Sequence, residues 1–355
     1  MGCMWYATFM RVLITTGIYP PQIGGPAQYA KRLAEAFVGH GQEVSVATYG
    51  RLLYLPTGVR HLFFFFRILP KVWRADVVLA LDTFSVGVPS VLAGKILGKK
   101  VVIRTGGDFL WEGYVERTGK KVLLRNFYES EMANLNLKEK KIFALTKWVL
   151  KNTATVVFST AWQKDIWQKP YGLEKVETDI VENFYGEKEI HDSGCMIHEG
   201  ETRNQKKMVF VGFTRALKWK NVDTLTRAFA EAKKVRPGLV LDLAQAPYEQ
   251  AMEKMKNARC AILVSLGDIS PNFALDALRL GVPIILTTEN GIADRVGAVV
   301  RLVDPLDQAD ITQAILEMTD DTIHATYVEK IGQCNYVHTW EDIAKEFLTL
   351  FQKLA

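Results

Sequence analysis

The chain has 355 residues, 48% of them hydrophobic and 23% charged. That is ordinary globular usage, and it excludes a disordered tail, a collagen-like fibre and a small disulfide scaffold. At about 100–200 residues per domain, the length predicts two domains. The net charge of +5 is unevenly spread: residues 1–180 carry 24 basic and 14 acidic side chains, and the remainder 20 and 25. Such asymmetry points to a polyanion or an anionic membrane as partner of the basic half, or to a lysine-rich solvated surface.

The four cysteines, Cys3, Cys195, Cys260 and Cys334, form no C-x-x-C pair and have no histidine at metal-ligand spacing. This argues against zinc and against a disulfide framework, and predicts a reducing, cytoplasmic setting. The opening MGCMWYATFM lacks the basic and long apolar regions of a signal peptide, and Tyr6 stands where a myristoylation motif wants Ser or Thr. No run of about 18 apolar residues is present to span a bilayer. The densest apolar run is Leu62–Phe66, with Phe63, Phe64, Phe65 and Phe66 in a row, flanked by Arg60, Arg67, Lys71 and Arg74. It reads either as a helix buried on all sides or as one that dips into an anionic interface, working as a peripheral membrane contact.

In chain order, an apolar strand from Arg11 opens into the loop Ile18-YPPQIGGPAQ. A helical pattern follows on Tyr29, Leu33, Ala36 and Phe37, then the strand Glu43-VSVATY. Strand, helix and strand at this spacing form a βαβ unit and predict a parallel sheet. The alternation continues with a helix around Arg60–Trp73, the strand Asp76-VVLAL, a helix near Ser85–Leu97 and the strand Lys100-VVIRT. A long helical stretch over Lys120–Lys151, the strand Thr155-VVFST and a last strand Glu177-TDIVEN complete this half.

Residues 184–206 are polar and without apolar period, the best linker candidate. Alternation then resumes: strand Lys207-MVFVG, helix Val222–Val235, strand Leu239-VLDLA, helix Tyr248–Asn257, strand Cys260-AILVSL, helix Phe273–Leu280 and strand Val282-PIILT. A short strand at Val299-VRLVD, a helix near Ile311–Met318 and a final helix Trp340–Leu354 close the chain. The pattern predicts two Rossmann-like doubly wound domains, 1–183 and 207–335, joined by 184–206, with 336–355 a helix returning towards the first. Open parallel sheets bind ligands outside the carboxyl ends of their strands, so two facing ones place a site in the cleft between them.

Three segments carry candidate chemistry. In Ser265-LGDISPNFALD, Asp268 follows a strand and Asp276 lies early in the next helix, whose N-terminus suits phosphate. A carboxylate there can bind a pair of ribose hydroxyls, although Asp in a first turn also simply complements the helix dipole. In Val211-GFTRALKWK, Arg215 and Lys220 follow a strand and can clamp a diphosphate, or form a solvated basic loop. Gly24 and Gly25 permit close backbone approach to a phosphate or sugar, or are simple loop glycines; they lack the G-x-G-x-x-G dinucleotide spacing.

Taken together, these segments resemble the retaining, nucleotide-sugar-dependent glycosyltransferases of the GT-B fold, family 4, over nearly the whole chain. The opening strand–YPP–GG–helix–GHGQEVSV is similar to that family's start. VGFTRALKWKNVDTLTRAF resembles its donor-phosphate loop, and SLGDISPNFALDALRLGVPIILTTENGIADRV its E-x7-E segment and G-x-P strand. RLVDPLD and Trp340 fit its C-terminal pattern. The resemblance implies a hexosyl transfer with retention, moving a sugar from a UDP-, GDP- or dTDP-sugar to a glycan or lipid-linked acceptor in polysaccharide biosynthesis. It implies no cofactor and no metal, and there is no Asp-x-Asp motif.

By the same resemblance, Arg215 and Lys220 hold the donor diphosphate, Asp276 the ribose hydroxyls, and Asp268 faces the sugar. Backbone amides near Asn272, Phe273 and Ala274 contact sugar and phosphate, Gly25 approaches the diphosphate, and Asn183 matches a family asparagine. Two departures stand out. Both family glutamates are aspartates here, shorter in reach by about 1.5 Å. Where the family often has a histidine, this chain has Arg104-TGGDFLWE, which resembles a subgroup with R-x-x-G-D-x-x-W-E and brings Asp108 to that place; Asp108 also reads as a plain helix cap. The competing readings are a non-catalytic sugar-nucleotide binder and a sugar-nucleotide epimerase of similar fold. A nucleic-acid partner is not expected, because no recognised motif accompanies the charge.

Overall fold

The computed structural model describes residues 9–22, 24–189, 208–212 and 217–354. Two compact units divide the chain. The first comprises Met1–Leu110, Asn134–Phe184 and His338–Ala355, and the second Trp111–Ala133 and Tyr185–Val337.

In chain order the first unit's strands and helices begin with β1 (Arg11–Thr16), α1 (Gly25–Gly39), β2 (Glu43–Thr48), α2 (Thr57–Arg74), β3 (Val77–Ala80), α3 (Gly87–Leu97) and β4 (Lys100–Arg104). Then come α4 (Phe109–Thr118), which runs into the second unit, and α5 (Leu124–Ser130) within it. The chain returns through α6 (Leu137–Asn152), β5 (Thr155–Phe158), α7 (Ala161–Tyr171) and β6 (Thr178–Ile180). The six strands form one parallel sheet in the order β2-β1-β3-β4-β5-β6. β3 and β5 are buried at every residue, as a parallel sheet covered on both faces requires.

The second unit continues with β7 (Met208–Val211), α8 (Val222–Val235), β8 (Leu239–Asp242), α9 (Tyr248–Lys256), β9 (Cys260–Leu263) and α10 (Asn272–Arg279). It is completed by β10 (Ile284–Thr287), α11 (Ala293–Val296), β11 (Arg301–Val303), α12 (Gln308–Glu317) and α13 (Asp321–Gln333). Its five strands are also parallel, in the order β11-β10-β9-β7-β8. The two doubly wound α/β sheets predicted from the alternation are therefore both present.

The last helix, α14 (Trp340–Leu354), packs on α1 in the first unit. Phe37 of α1 meets Phe347 and Phe351 at ring-centroid distances of 6.2 and 5.9 Å. Trp340 stacks on Phe184 at 5.3 Å with an interplanar angle of 8°. The expected return of the C-terminal helix thus has a cause: its apolar stripe, Ile343, Phe347, Leu350 and Phe351, is buried against the sheet's α1 face.

Several elements differ from the sequence reading. The helical stretch expected over Lys120–Lys151 is two helices, because Asn136 starts a new one. Its side chain accepts from the Glu139 N–H at 2.9 Å while Glu139 accepts from the Asn136 N–H at 2.8 Å, a reciprocal capping box. Helices α4, α7 and α13 were not anticipated; α7 and α13 open on Thr160 and Asp320, whose side chains accept from first-turn N–H groups. The run Phe63–Phe66 is not buried on all sides: Phe64 is fully buried, whereas Phe63 and Phe66 are more than half exposed. Of the expected linker, Tyr185 is buried in the second unit and stacks on Tyr336 at 5.1 Å, and residues 190–206 lie outside those described.

The expected first domain also ran unbroken to residue 183, whereas residues 111–133 group with the second unit. Trp111 packs on Trp219 at 5.7 Å, and the Leu124 N–H donates to the Leu266 carbonyl at 3.2 Å. A Cβ on Gly267 would lie 2.7 Å from Leu124 Cβ, so only glycine allows this approach. Arg125 Nε donates to Glu289 Oε2 at 2.8 Å, and Glu289 is buried. Burial pushes the Glu289 carboxyl up, and Arg125 opposes that.

Removing Arg125 leaves a buried carboxylate unpaired. Arg125→Ala is expected to cost about 1–2 kcal/mol near pH 7, below the value for fully buried pairs because Arg125 is half exposed. Because the Glu289 pKa is raised, the penalty shrinks as falling pH protonates it; thermal melts across that range check the trend. In α3, a Cβ at Gly94 would lie 2.3 Å from Val101 Cγ2 and 3.0 Å from the Lys99 carbonyl oxygen. Gly94→Ala is expected to destabilise by about 1–3 kcal/mol in chemical denaturation, although alanine is the better helix former.

Candidate active site

The second unit brings Lys220 and Asp268 together at the carboxyl ends of β7 and β9. After β7, the loop turns through a short 3-10 segment, Lys218–Lys220, in which Trp219 is buried. Lys220 Nζ lies 4.3 Å from the centre of the Trp219 ring and 2.8 Å from Asp268 Oδ2. The two side chains are 18% and 15% exposed, so the pair is largely shielded from water. Asp268 is fixed through its backbone: its N–H donates to the Glu289 carbonyl at 2.9 Å, and its carbonyl accepts from the Gly291 N–H at 3.1 Å.

The loop carrying Lys220 is fastened by the next residue. Asn221 has φ 57°, a left-handed conformation that asparagine tolerates better than most residues. Its buried side-chain amide donates to the Val264 carbonyl at 3.2 Å and the Pro305 carbonyl at 2.7 Å. Its Oδ1 accepts from the Thr224 hydroxyl at 2.6 Å. The preceding Leu266 N–H donates to the Trp219 carbonyl at 2.9 Å, tying the two loops directly. Arg215, the other predicted cation of this loop, lies outside the described residues.

Asp276 sits inside α10, where the Tyr248 hydroxyl donates to its Oδ1 at 2.9 Å. Burial pushes the Asp276 carboxyl up, against the hydrogen bond from Tyr248 and the charge of Arg279. Burial, with the Asp276 charge beside it, pushes the Tyr248 phenol up to about 12, so it remains a donor at neutral pH. Arg279 Nη2 is 3.7 Å from Asp276, while its Nη1 is 2.5 Å from Glu189 Oε1. Hydrogen bonds from Lys256 and Arg279 hold the Glu189 carboxyl down at about 2. Asn272, Phe273 and Ala274 form the first turn of α10 behind Pro271; the Ala274 N–H already donates to the Pro271 carbonyl at 2.9 Å.

The other predicted residues belong to the first unit. Gly24 caps α1 with φ 157° and ψ 156°, a region open essentially to glycine alone, and Gly25 is the helix's first residue. Asp108 is buried and accepts from the Trp167 indole N–H at 2.8 Å. Asn183 accepts from the Arg104 guanidinium, and its carbonyl is 3.2 Å from His338 Nδ1. Arg104 is itself buried, with its guanidinium 3.9 Å from the centre of the Tyr29 ring. Among the described residues, no group of three His, Cys, Asp or Glu side chains converges as metal ligands do.

Tyr248, Glu289 and Asn221 were missed from the sequence. Tyr248 opens a helix that the sequence does show, but nothing in its spacing links it to Asp276, 28 positions away. Asn221 carries a usable signal: an asparagine between the basic turn and the start of the apolar helix period is suited to a left-handed junction.

No known protein-family model matches the chain, and no curated protein matches it in sequence. Solved structures do. A sucrose-phosphate synthase from Thermosynechococcus elongatus superposes with a TM-score of 0.70 at 14% identity, covering 97% of this chain and 98% of that one. Alr3699/HepE of Anabaena, in complex with UDP-glucose, gives 0.66 at 12% identity over 97% and 100%. A UDP-forming alpha,alpha-trehalose-phosphate synthase from Burkholderia vietnamiensis gives 0.64 at 9% identity over 97% and 99%. At such identities the likeness is one of architecture, and it is nearly end to end: this chain has the GT-B fold, two parallel α/β sheets in series.

Proposed function

We propose that the protein is a retaining glycosyltransferase of the family 4 type. It moves a hexosyl group from a nucleoside-diphosphate sugar to a glycan or lipid-linked acceptor, without a metal ion, in polysaccharide biosynthesis in the cytoplasm. The observation that carries this reading is the Lys220–Asp268 pair at 2.8 Å, set at the carboxyl end of a parallel sheet. Asp276 with its tyrosine donor lies one helix segment further on. The end-to-end likeness to a UDP-forming trehalose-phosphate synthase, a sucrose-phosphate synthase and a protein solved with UDP-glucose supports the same reading.

In this reading Lys220 offers its ammonium to the donor diphosphate, with Arg215 as second cation, and stabilises charge on the leaving diphosphate. Asp268 accepts from a hydroxyl of the donor sugar. Asp276 accepts from the ribose hydroxyls, oriented by Tyr248. Asn272, Phe273 and Ala274, at the start of α10, face the donor's sugar and phosphate; the family resemblance also assigns Gly24, Gly25, Asn183 and Asp108 of the first unit to donor binding. The bond from the anomeric carbon to the diphosphate breaks, and the acceptor oxygen bonds to that carbon on the same face. The acceptor proton passes to the departing phosphate oxygen, so no protein base is needed.

The deciding measurement is release of nucleoside diphosphate from UDP-, GDP- or dTDP-sugars, after thermal-shift screening selects the donor that stabilises the fold. Release that depends on an added glycan or lipid-linked acceptor supports transfer; binding without release, or epimer formed from donor alone, overturns it. Lys220→Ala is expected to lower turnover about 100-fold, as removal of a charge-stabilising donor does. Asp276→Asn is expected to weaken donor binding by about 1.5–3 kcal/mol, the worth of a hydrogen bond to a charged group. In the free protein it has the opposite effect. A carboxyl whose folded pKa is raised loses stability as pH rises through that pKa, so Asp276→Asn melts higher near pH 7. The difference vanishes on acidification below the ordinary aspartate range of about 3.9.

A further inference from the structure

We propose that the outer face of α2, α3 and α6 is a docking surface for a lipid bilayer carrying anionic headgroups. This goes beyond the transferase reading and rests on different residues. The three helices pack side by side, α2 on α3 and α3 on α6. They carry ten basic residues, four on α2, one on α3 and five on α6. Against these stands a single carboxylate, Glu139, which is buried in the capping box of α6. The helices of the opposite layer, α1 and α14, carry four basic and four acidic residues between them. The basic excess therefore belongs to one surface rather than to the unit at large.

The same surface is apolar along α2. Phe64, Ile68 and Val72 are fully buried beneath it. Leu62, Phe63, Phe66 and Trp73 recur three, four and seven positions apart, on the helix's other side, and are 57%, 54%, 59% and 66% exposed. Ile96 on the neighbouring α3 is 62% exposed. Arg67 and Lys71 donate to the carbonyls of Tyr49 and Val46, fastening α2 to its own unit. Arg74, Lys138, Lys140, Lys141 and Lys151 are exposed to solvent. A helix with one face in the core and a second, aromatic face in water gains by burying that second face. Crowded like charges repel one another, and an anionic surface relieves this. Aromatic and aliphatic side chains bordered by cations, with no exposed carboxylate among them, match an acidic membrane interface on both counts.

The test is sedimentation of the full chain with phosphatidylcholine vesicles, with and without phosphatidylglycerol at about one lipid in three. Binding is expected only to the anionic vesicles, and it should weaken between about 0.05 M and about 0.5 M salt, as the screening length shortens. Two variants separate the contributions: Phe63→Ser/Phe66→Ser/Trp73→Ser and Lys140→Glu/Lys141→Glu/Lys151→Glu. Both change exposed residues, and each is expected to weaken binding about tenfold or more while the circular dichroism spectrum stays unchanged. Absence of binding at low salt, or equal binding to vesicles without anionic lipid, overturns the proposal. So does binding that the aromatic variant leaves intact, whether the surface then serves a soluble polyanion or a second copy of this chain. Because the readout is lipid binding, a protein that transfers no sugar can still pass it, and one that does can still fail it.

Discussion

The site in the second unit depends on how Asn221 is held. Its side chain reaches the carbonyl of Val264, at the end of β9, and that of Pro305, just beyond β11. Those two strands are not neighbours in the sheet. One buried amide thus joins three loop ends, with its own left-handed backbone forming the third. A buried donor left without these carbonyls would incur its full desolvation penalty, about 1–3 kcal/mol. Lys220, one position earlier, inherits that rigidity. Its ammonium is aimed by a backbone that has little freedom to move, with the Trp219 ring beneath it.

Asp268 is set by the same logic from the other side. Its position comes from backbone hydrogen bonds to Glu289 and Gly291 rather than from its own side chain. Glu289 in turn has its carboxylate on Arg125, and the Gly267 beside Asp268 is covered by Leu124. The short aspartate side chain still meets Lys220 at 2.8 Å. Residues 111–133 buttress that loop, although they come from the middle of the chain's first half in sequence.

That last fact marks the boundary of what the sequence makes legible. Strand–helix alternation is a local signal: β1, β9 and β10 can be read from runs of a few residues, because parallel strands buried on both faces are continuously apolar. Asp268 is legible for the same reason, lying shortly after such a strand. The grouping of Trp111 with Trp219, or of Tyr248 with Asp276, has no local signature, since it depends on which surface a loop finds after folding. The split of the Lys120–Lys151 helix was legible in principle. Asn136 and Glu139 have the spacing of a capping box.

The charge asymmetry of the chain changes meaning once the helices are placed. Ten cations distributed around a unit would be a solubility device, with each residue hydrated independently. Here they fall on three adjacent helices, while the layer formed by α1 and α14 is balanced and has its apolar stripe buried. α14 explains that difference. By covering α1, the chain's last helix closes one side of the first sheet with its own hydrophobic residues. Among the described residues, α2 has no such cover over Leu62, Phe63, Phe66 and Trp73. A fold that supplies a dedicated helix to seal one layer and leaves aromatic side chains bare on the other, among its densest cations, has an asymmetry that core packing does not require. An external surface of complementary charge and polarity gives it a physical use.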